Sequence, residues 1–278
     1  MCEKRTREGR KSLSSPLHAG SCKTATMMRD AKSVVVTGAG GMIGSATVRR
    51  LRDMGCSVLA VDIGEPTSSY VGVTPFTADV TDPAQVESVA AAARQLFGHA
   101  DALVHIAGGA GSVKAPSIEA TDLPVWQQVM TLNVTSAFLL CRALVPPMRK
   151  ARYGRVVLLS SILAKGEKGP PTTVAARLAY ATAKAALLGF NAQLAKDCAV
   201  DGVTANAVAP GLILGEPGTR IRDRFDALPE AERARALAAV PAGRAGTADE
   251  VAATIAFLLT GAAGYINGAT IAADGAAS

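Results

Sequence analysis

The stretch SVVVTGAGGMIG, residues 33–44, places a run of β-branched residues directly before a turn rich in glycine. Residues 33–37 predict a buried strand, because short continuous apolar runs are typical of parallel sheets. Apolar or small residues then recur at helical spacing, at Ile43, Thr47, Leu51 and Met54. A strand, a glycine turn and a helix in this order form a loop that can hold a pyrophosphate at the helix N-terminus.

A second predicted strand, residues 58–62, ends in an acid, Asp62, which lies 24 residues after Gly38. A carboxylate at this place can accept both hydroxyls of an adenosine ribose, and it repels a 2′-phosphate. Residues 38–44 contain no Lys or Arg to offset that repulsion. The pattern therefore favours NAD over NADP. The alternative interpretation of Asp62 is an acid that caps a helix or a turn.

Strand and helix patterns alternate through the rest of the chain. Further strands are predicted at residues 75–79, 102–106, 154–161, 204–209 and 269–273. Helices are predicted at 83–97, at 125–148 with an interruption near Asn133, at 179–199, and after a capping box at Thr247 and Glu250. This alternation predicts an α/β fold, a doubly wound parallel seven-stranded sheet (Rossmann-like) in three layers, forming one domain over residues 33–278.

The candidate binding residues follow the predicted strands. In such sheets, ligands bind beyond the carboxyl ends of the strands. The segments at those ends are 38–44, Asp62, Asp79, Ala107-Gly108, Ser160-Ser161 and Pro210-Gly211. Their shared location predicts one site.

Tyr180 and Lys184 lie four residues apart on a predicted helix rich in alanine, and so on one face of it. A phenol is a poor acid or base at neutral pH, but a nearby ammonium favours the phenolate. The pair can therefore exchange protons near pH 7. The alternative is an ordinary helix that carries one aromatic residue and one cation.

The net charge of +6 is concentrated at the N-terminus. Residues 1–32 carry eight Lys or Arg against three acids, which gives +5, and the remaining residues carry 21 against 20, which gives +1. The first segment has no hydrophobic periodicity and predicts a disordered basic extension. Alternatives are a tail that binds polyanions, or a start codon placed upstream of Met27 and Met28. We expect no nucleic-acid partner.

Hydropathy and cysteine usage limit the remaining classes. No apolar run approaches the roughly 18 residues that span a bilayer, so we expect no membrane segment. The five cysteines are scattered and fit neither a disulfide scaffold nor a metal site. This usage favours a reducing compartment and hence a cytoplasmic location, with no metal.

Together these features resemble the short-chain dehydrogenase/reductase family, in its single-domain form with a Tyr-x-x-x-Lys pair. The resemblance covers residues 33–275. Its marks, in order, are Thr37-Gly38, Asp79-Val80, Ala107-Gly108, Leu132-Asn133-Val134, Ser160-Ser161, Tyr180-x-x-x-Lys184, residues 206–211 and Asp274-Gly275.

The resemblance implies catalytic roles for four residues. Tyr180 would be the acid/base, Lys184 would lower its pKa and bind the nicotinamide ribose, and Ser161 would bind the substrate oxygen. Asn133 would hold a water in a proton relay. The alternatives are a strand-end hydroxyl bonded to backbone for Ser161, and a helix-kink residue bonded to a freed carbonyl for Asn133. The implied cofactor-binding residues are Gly38, Gly41, Met42, Ile43, Asp62, Ile63, Asp79, Val80, Ala107, Gly108, Tyr180, Lys184, Pro210, Gly211 and Ile213.

The sequence departs from the family pattern at four places. Met42 stands where glycine is usual, His105-Ile106 replaces an Asn-Asn pair, and Gly215 stands where a threonine often binds the nicotinamide amide. Ser161 and Tyr180 are 19 residues apart because of a Gly/Pro insertion at 165–173. We expect His105 to be a satisfied strand residue and not a catalyst.

The favoured function is an NAD(H)-dependent oxidoreductase that interconverts a secondary alcohol and a ketone. An alternative is an NADPH-dependent reductase of 3-oxoacyl thioesters, and one of another class is a non-catalytic nucleotide sensor. Residues 212–240 predict a lid whose five arginines and five acids balance, which is typical of a solvated face. The resemblance also implies a homotetramer or homodimer, packed through helices near Asn133 and Ala179.

Overall fold

A computed structural model describes residues 30–64, 70–111, 113–166, 174 and 176–278. Within them the chain forms one parallel seven-stranded sheet in the order β3-β2-β1-β4-β5-β6-β7. The strands are β1 (Ser33–Thr37), β2 (Ser57–Asp62), β3 (Val73–Thr77), β4 (Ala102–His105), β5 (Gly154–Leu159), β6 (Val203–Pro210) and β7 (Thr270–Ala273). The predicted doubly wound α/β fold is confirmed.

Helices connect the strands. They are α1 (Met42–Asp53), α2 (Pro83–Phe97), α3 (Leu123–Met130), α4 (Ser136–Lys150), α5 (Arg177–Cys198), α6 (Arg220–Asp226), α7 (Glu230–Ala238) and α8 (Ala248–Leu258). A π-helical segment, Thr131–Thr135, joins α3 to α4, and short 3-10 turns lie at Ile162–Lys165, Ala199–Asp201 and Gly261–Ala263. The predicted interruption near Asn133 is this π-helical segment.

The hydrophobic core consists of two layers of side chains, one on each face of the β-sheet. Val35 packs with residues of α2, α4 and α5, whereas Val34 and Val36 pack with residues of α1 and α8. Successive residues of a strand point to opposite faces, so the uninterrupted apolar run of β1 is buried on both sides. This arrangement gives the three predicted layers.

The crevice that positions the site opens where the strand order reverses. β1 pairs with β2 on one side and with β4 on the other, so the loops that follow β1 and β4 diverge at this point. The two loops stay tied at their bases, because the Thr37 carbonyl accepts hydrogen bonds of 3.2 Å from the amides of both Ile106 and Ala107.

Two predicted strands end two residues earlier than expected, and β4 ends one residue earlier, at His105. β3 ends at Thr77 and not at Asp79, because Asp79 belongs to a turn: its carboxylate accepts from the amide and hydroxyl of Thr81, at 2.8 and 2.7 Å. β5 ends at Leu159, since Ser161 caps the following 3-10 turn by accepting from the Leu163 amide.

Residues 30–32, which were predicted to belong to the N-terminal extension, are held in the fold. The Asp30 carboxylate accepts a 2.9 Å hydrogen bond from the Gly261 amide, Ala31 is buried, and the Lys32 amide donates to Asp101. Residues 30–32 therefore belong to the fold. Residues 1–29, and most of the predicted insertion at 165–173, lie outside the described residues.

One continuous helical run in the described part, Leu123–Lys150, is long and apolar enough by length and composition to cross a membrane. Length and composition alone are weak evidence of a membrane span, because a buried core helix satisfies the same criteria. The run is a layer helix of the sheet, since Ala137, Leu140 and Leu144 are buried in the core beside β1 and β5 residues.

Candidate active site

The loop between β1 and α1 is a cradle that only glycines can form. Gly38 has a φ of +69°, and a Cβ there would lie 2.6 Å from the Ala107 nitrogen. A Cβ on Gly44 would lie 1.9 Å from the Gly38 carbonyl oxygen. These glycines let the backbone approach a ligand closely at the start of α1, where unpaired amides favour an anion. The loop therefore fits the pyrophosphate of a dinucleotide.

Asp62 lies beside this loop, at the end of β2. Its Oδ2 accepts a 2.8 Å hydrogen bond from the Gly40 amide, and its Oδ1 accepts one of 2.8 Å from the Ile63 amide. These two contacts are those of an acid that caps a turn, which was the alternative interpretation of Asp62. The same contacts hold the carboxylate at the edge of the pocket that the loop borders.

A pocket of about 620 Å³ extends from Asp62 along the glycine loop to the end of β4. It is lined by ten of the predicted cofactor-binding residues: Gly38, Gly41, Met42, Ile43, Asp62, Ile63, Asp79, Val80, Ala107 and Gly108. The structure thus brings together the predicted residues of four different loops.

Five of the predicted cofactor-binding residues are not on this lining: Tyr180 and Lys184, which are described below, and Pro210, Gly211 and Ile213. Pro210 ends β6, and Gly211 is pressed against the C-terminal segment, where a Cβ on it would lie 2.8 Å from the Asp274 Cβ. Ile213 is buried and forms a parallel bridge with Gly246. These residues fix the base of the lid, and a contact between them and a cofactor stays a prediction.

Tyr180 and Ser161 meet at the carboxyl end of β5. α5 carries Tyr180 in its first turn, and the phenol is hydrogen-bonded with the Ser161 side chain. Burial raises the pKa of Tyr180 to about 12, and the hydrogen bond with Ser161 acts in the opposite direction. Ser161 also accepts a 3.2 Å hydrogen bond from the Leu163 amide, so the strand-end interpretation describes one of its two contacts.

Lys184 is almost fully buried one turn further along α5. Its Nζ donates a 2.7 Å hydrogen bond to the Leu159 carbonyl and lies 5.5 Å from the centre of the Tyr180 ring. Burial lowers the pKa of Lys184 to about 7. Burial thus sets the direction of both pKa shifts, and the predicted lowering of the Tyr180 pKa by Lys184 stays a prediction.

Asn133 occupies the π-helical segment and is fully buried. Its Nδ2 donates 2.8 Å hydrogen bonds to the carbonyls of Gly109 and Val129, and its Oδ1 accepts a 3.0 Å bond from the Gly109 amide. The helix-kink interpretation therefore describes the side chain, since the Val129 carbonyl is one that the wider turn leaves free. The water-holding role stays a prediction.

Comparison with known proteins identifies the family. A family model described as enoyl-(acyl carrier protein) reductase matches residues 38–277. The chain is 35% identical over 252 residues to 3-oxoacyl-(acyl-carrier-protein) reductase FabG of Escherichia coli (strain K12), across 88% of this chain and 97% of that protein. The chain belongs to the short-chain dehydrogenase/reductase family. It is thus an oxidoreductase that acts on CH–OH and C=O groups with a nicotinamide cofactor.

Solved structures agree with this assignment. The structure titled gox2181 superposes with a TM-score of 0.80 at 27% identity, covering 91% of this chain and 98% of that one. The ligand-free aldohexose dehydrogenase AldT of Thermoplasma acidophilum superposes with a TM-score of 0.75 at 26% identity, covering 91% and 95%.

His105, one of the departures from the short-chain dehydrogenase/reductase pattern, is a structural residue, as expected. Its Nδ1 lies 2.8 Å from the Thr37 hydroxyl, and its Nε2 lies 3.2 Å from the Ser136 hydroxyl. The Ser136 hydroxyl donates to the Leu132 carbonyl at 2.7 Å, so Nε2 is the nitrogen that carries the hydrogen. Burial, and then the charge of Lys184, lower the pKa of His105 to about 3. The imidazole is therefore neutral.

Two other departures, Met42 and Gly215, contact each other. A Cβ on Gly215 would lie 2.5 Å from the Met42 Sδ and 2.8 Å from the Thr219 hydroxyl oxygen. The methionine thus fills the space that a threonine at 215 would need. The two departures from the family pattern are therefore linked by packing, although they lie far apart in the sequence.

Sequence reasoning missed several residues of the site. Gly109, held by Asn133, follows a predicted residue directly, so an extension of the motif by one position would have found it. Leu132, Arg220 and Ile221 also line the pocket. Arg220 is exposed, as the predicted solvated face of residues 212–240 implies, but it also borders the pocket, which the sequence did not indicate.

Proposed function

We propose that this protein is an NAD(H)-dependent oxidoreductase that interconverts a secondary alcohol and a ketone, with Tyr180 as the acid/base. The observation that carries the proposal is the contact of Tyr180 with Ser161, with the Lys184 ammonium beside them. A Cβ on Gly108, which lines the pocket, would lie 3.2 Å from Lys184 Nζ, so this trio adjoins the cofactor pocket. A nicotinamide bound there would supply or accept the hydride.

In the site without cofactor or substrate, the protonation state of Tyr180 makes it a proton donor. A phenol whose pKa is about 12 keeps its proton at neutral pH, so Tyr180 can give it to a ketone oxygen as that oxygen gains charge. The Ser161 hydroxyl, already bonded to Tyr180, is placed to donate to the same oxygen. In the oxidation direction Tyr180 must first lose its proton, and a protonated Lys184 favours that loss.

Asp62 supports NAD as the preferred cofactor. Its carboxylate is fixed by the amides of Gly40 and Ile63 at the border of the pocket, where a 2′-phosphate would meet a negative charge. The glycine loop provides no cation that would compensate. Recognition of NAD is therefore favoured by repulsion of NADP as well as by hydrogen bonds to the ribose.

A second candidate function is the reduction of 3-oxoacyl thioesters. It is favoured by the 35% identity to FabG of Escherichia coli over 97% of that protein. The chemistry is the same, because a 3-oxo group is a ketone that Tyr180 and Ser161 could polarise. The repulsion that Asp62 exerts on a 2′-phosphate counts against the NADPH form of this reaction.

The test is a fluorescence titration of the full chain with NADH and NADPH, followed by turnover assays. We expect NADH to bind at least about 10-fold more tightly, as one unfavourable charge contact implies, and a panel of secondary alcohols with NAD to include substrates. Preference for NADPH together with turnover of a 3-oxoacyl thioester would establish the second candidate. Failure of both nucleotides to bind would overturn both.

We also propose that the protein associates as a homotetramer or homodimer and works in a reducing compartment. Phe138 on α4 and Leu178 on α5 leave large apolar side chains exposed on the helices that the family resemblance implicates in association. Cys56, Cys141 and Cys198 are buried free thiols, which suits such a compartment. Light scattering tests the first proposal, and a monomer at micromolar concentration would contradict it.

A further inference from the structure

We propose that Arg220, at the start of α6 in the lid, binds the pyrophosphate of the dinucleotide from the side opposite the glycine loop. This inference rests on the proposed nucleotide binding. Arg220 borders the same pocket as Gly40, Gly41 and Met42, and no other residue on the described lining is a Lys, Arg or His.

The charges of the pocket favour such a cation. Apart from Arg220, the charged residues on the described lining are Asp62 and Asp79. A pyrophosphate brings two further negative charges, and the loop at residues 38–44 offers it backbone amides but no basic side chain. A guanidinium can bind two phosphate oxygens at once and loses little hydration in doing so, which makes arginine the suitable residue.

The position of the lid indicates which part of the cofactor Arg220 meets. The lid begins against Met42, the first residue of α1, since a Cβ on Gly215 would lie 2.5 Å from the Met42 Sδ. The first amides of α1 are those that the glycine loop directs at the pyrophosphate. Arg220 follows Gly215 by five residues and borders the same pocket as Met42. We therefore assign it to the pyrophosphate and not to the ribose end at Asp62.

Arg220 is also available for a ligand. Among the described residues its side chain has no ion pair and no hydrogen bond, whereas Arg222 on the same helix donates to the Asp226 carboxylate at 2.7 Å. The helix itself does not depend on Arg220, because the Gly218 amide donates to the Asp223 carboxylate and the Asp223 amide donates to the Thr219 carbonyl. Arg222 is therefore a matched control for the loss of one lid arginine.

The experiment measures dissociation constants of the full chain for ADP-ribose, NADH and NADPH, by calorimetry and fluorescence, in wild type, Arg220→Gln and Arg222→Gln. ADP-ribose carries the pyrophosphate without the nicotinamide. We expect Arg220→Gln to weaken ADP-ribose and NADH by about 10-fold or more, as the loss of a charge-assisted hydrogen bond implies, and to make binding less dependent on salt. Arg222→Gln should leave all three constants within about twofold.

Three results would overturn the proposal. One is an ADP-ribose constant in Arg220→Gln that matches wild type. Another is an equal weakening in Arg222→Gln, which would indicate a general effect of lid charge. The third is weakening of NADPH alone, which would place Arg220 at a 2′-phosphate. If wild type binds none of the three nucleotides, the proposed function fails as well, so the two failures are distinguishable.

Discussion

The carboxylate of Asp62 and the backbone amide of Gly40 are joined by a hydrogen bond of 2.8 Å. This bond ties the end of β2 to the glycine loop that follows β1. It fixes the distance between the carboxylate that we propose for the adenosine ribose and the loop that we propose for the pyrophosphate. In this proposal, cofactor choice and cofactor binding depend on one local arrangement.

Replacing Asp62 by Asn should relax cofactor choice. The amide keeps an acceptor for the Gly40 hydrogen bond but removes the charge, so we expect NADPH to bind about 10-fold more tightly and NADH to change little. Fluorescence titration measures both constants. Asp53→Asn, an exposed acid paired with Arg52, is the charge control and should not alter the ratio. An unchanged NADPH constant in Asp62→Asn would show that Asp62 does not face the ribose.

Replacing Tyr180 by Phe should separate binding from chemistry. The ring stays in place, but the hydroxyl that bonds Ser161 is lost, so we expect kcat to fall by about 10²- to 10⁴-fold, as for the loss of a general acid. The NADH dissociation constant should be unchanged within about twofold. Turnover at the wild-type rate would contradict the acid/base role and would support a protein that only senses nucleotides.

Replacing Asn133 by Ala should destabilise the π-helical segment. It leaves the amide and carbonyl of Gly109 and the carbonyl of Val129 without their partner. We expect the free energy of unfolding to fall by about 2–4 kcal/mol, because an unpaired buried group such as the Val129 carbonyl costs about 1–3 kcal/mol and the part-buried groups of Gly109 cost less. Urea denaturation measures it.

A second buried asparagine provides the control for Asn133. Asn191 is equally buried, but within the described part of the chain its side chain makes one hydrogen bond, from Nδ2 to the Ala269 carbonyl at 3.1 Å. Asn191→Ala should therefore cost about 1 kcal/mol, the usual net value of one hydrogen bond. Equal losses in the two variants would show that the bonds to Gly109 carry no special weight.

His105 should make stability depend on pH in the acidic range. Its pKa in the folded protein is about 3, below the ordinary value of 6.5, so between these values the unfolded chain binds the additional proton. Stability should therefore fall as the pH is lowered from 6.5 towards 3, by about 1.4 kcal/mol per pH unit from this group. Lys184 has a pKa of about 7 in the folded protein, so its effect on the pH dependence of stability lies above pH 7 and not between pH 3 and 6.5.

Urea denaturation between pH 4 and 6.5 tests this dependence. His105→Asn should lose that part of the slope, whereas His99→Asn, at a partly exposed histidine, should keep it. A slope that is the same in wild type and His105→Asn would show that the acid sensitivity has another source.

Met42 and Gly215 should behave as a coupled pair. Gly215→Thr alone forces side-chain atoms against the Met42 Sδ, and we expect it to lower the melting temperature and weaken NADH. Met42→Gly combined with Gly215→Thr should recover much of both losses, because the clash with Met42 is removed and only the approach to the Thr219 hydroxyl remains. The coupling energy of the cycle should be about 0.5–3 kcal/mol, the range for residues in contact. Additive effects would contradict the contact.

The sequence was most informative where local chemistry decides the structure. The predicted bounds of α2 match the structure because Asp82 caps its first turn, Pro83 begins it and Gly98 ends it with a φ of +72°. The capping box of Thr247 and Glu250 likewise begins α8 as predicted. Such signals lie within a few residues of one another and need no knowledge of the fold.

Features that depend on distant contacts were not predictable in the same way. Asn133 marked an interrupted helix, but its partner Gly109 lies 24 residues away, and only packing brings the two together. The contact of Met42 with Gly215 and the place of Arg220 depend on how the lid meets α1. The parallel register that sets Thr37 beside His105 could have been inferred, since both residues end neighbouring strands.

The close approach of Gly38 to Ala107 has a consequence for how this enzyme can acquire new substrates. Because no Cβ fits between the loops after β1 and β4, the floor of the pocket tolerates almost no variation. The segment 212–240 carries no such constraint along most of its length, and its helices α6 and α7 keep most of their side chains in contact with solvent. Exchange of that segment between relatives should therefore transfer substrate range while the floor stays the same. The pocket floor would then be the part of the protein that stays fixed during evolution, and residues 212–240 the part that can change.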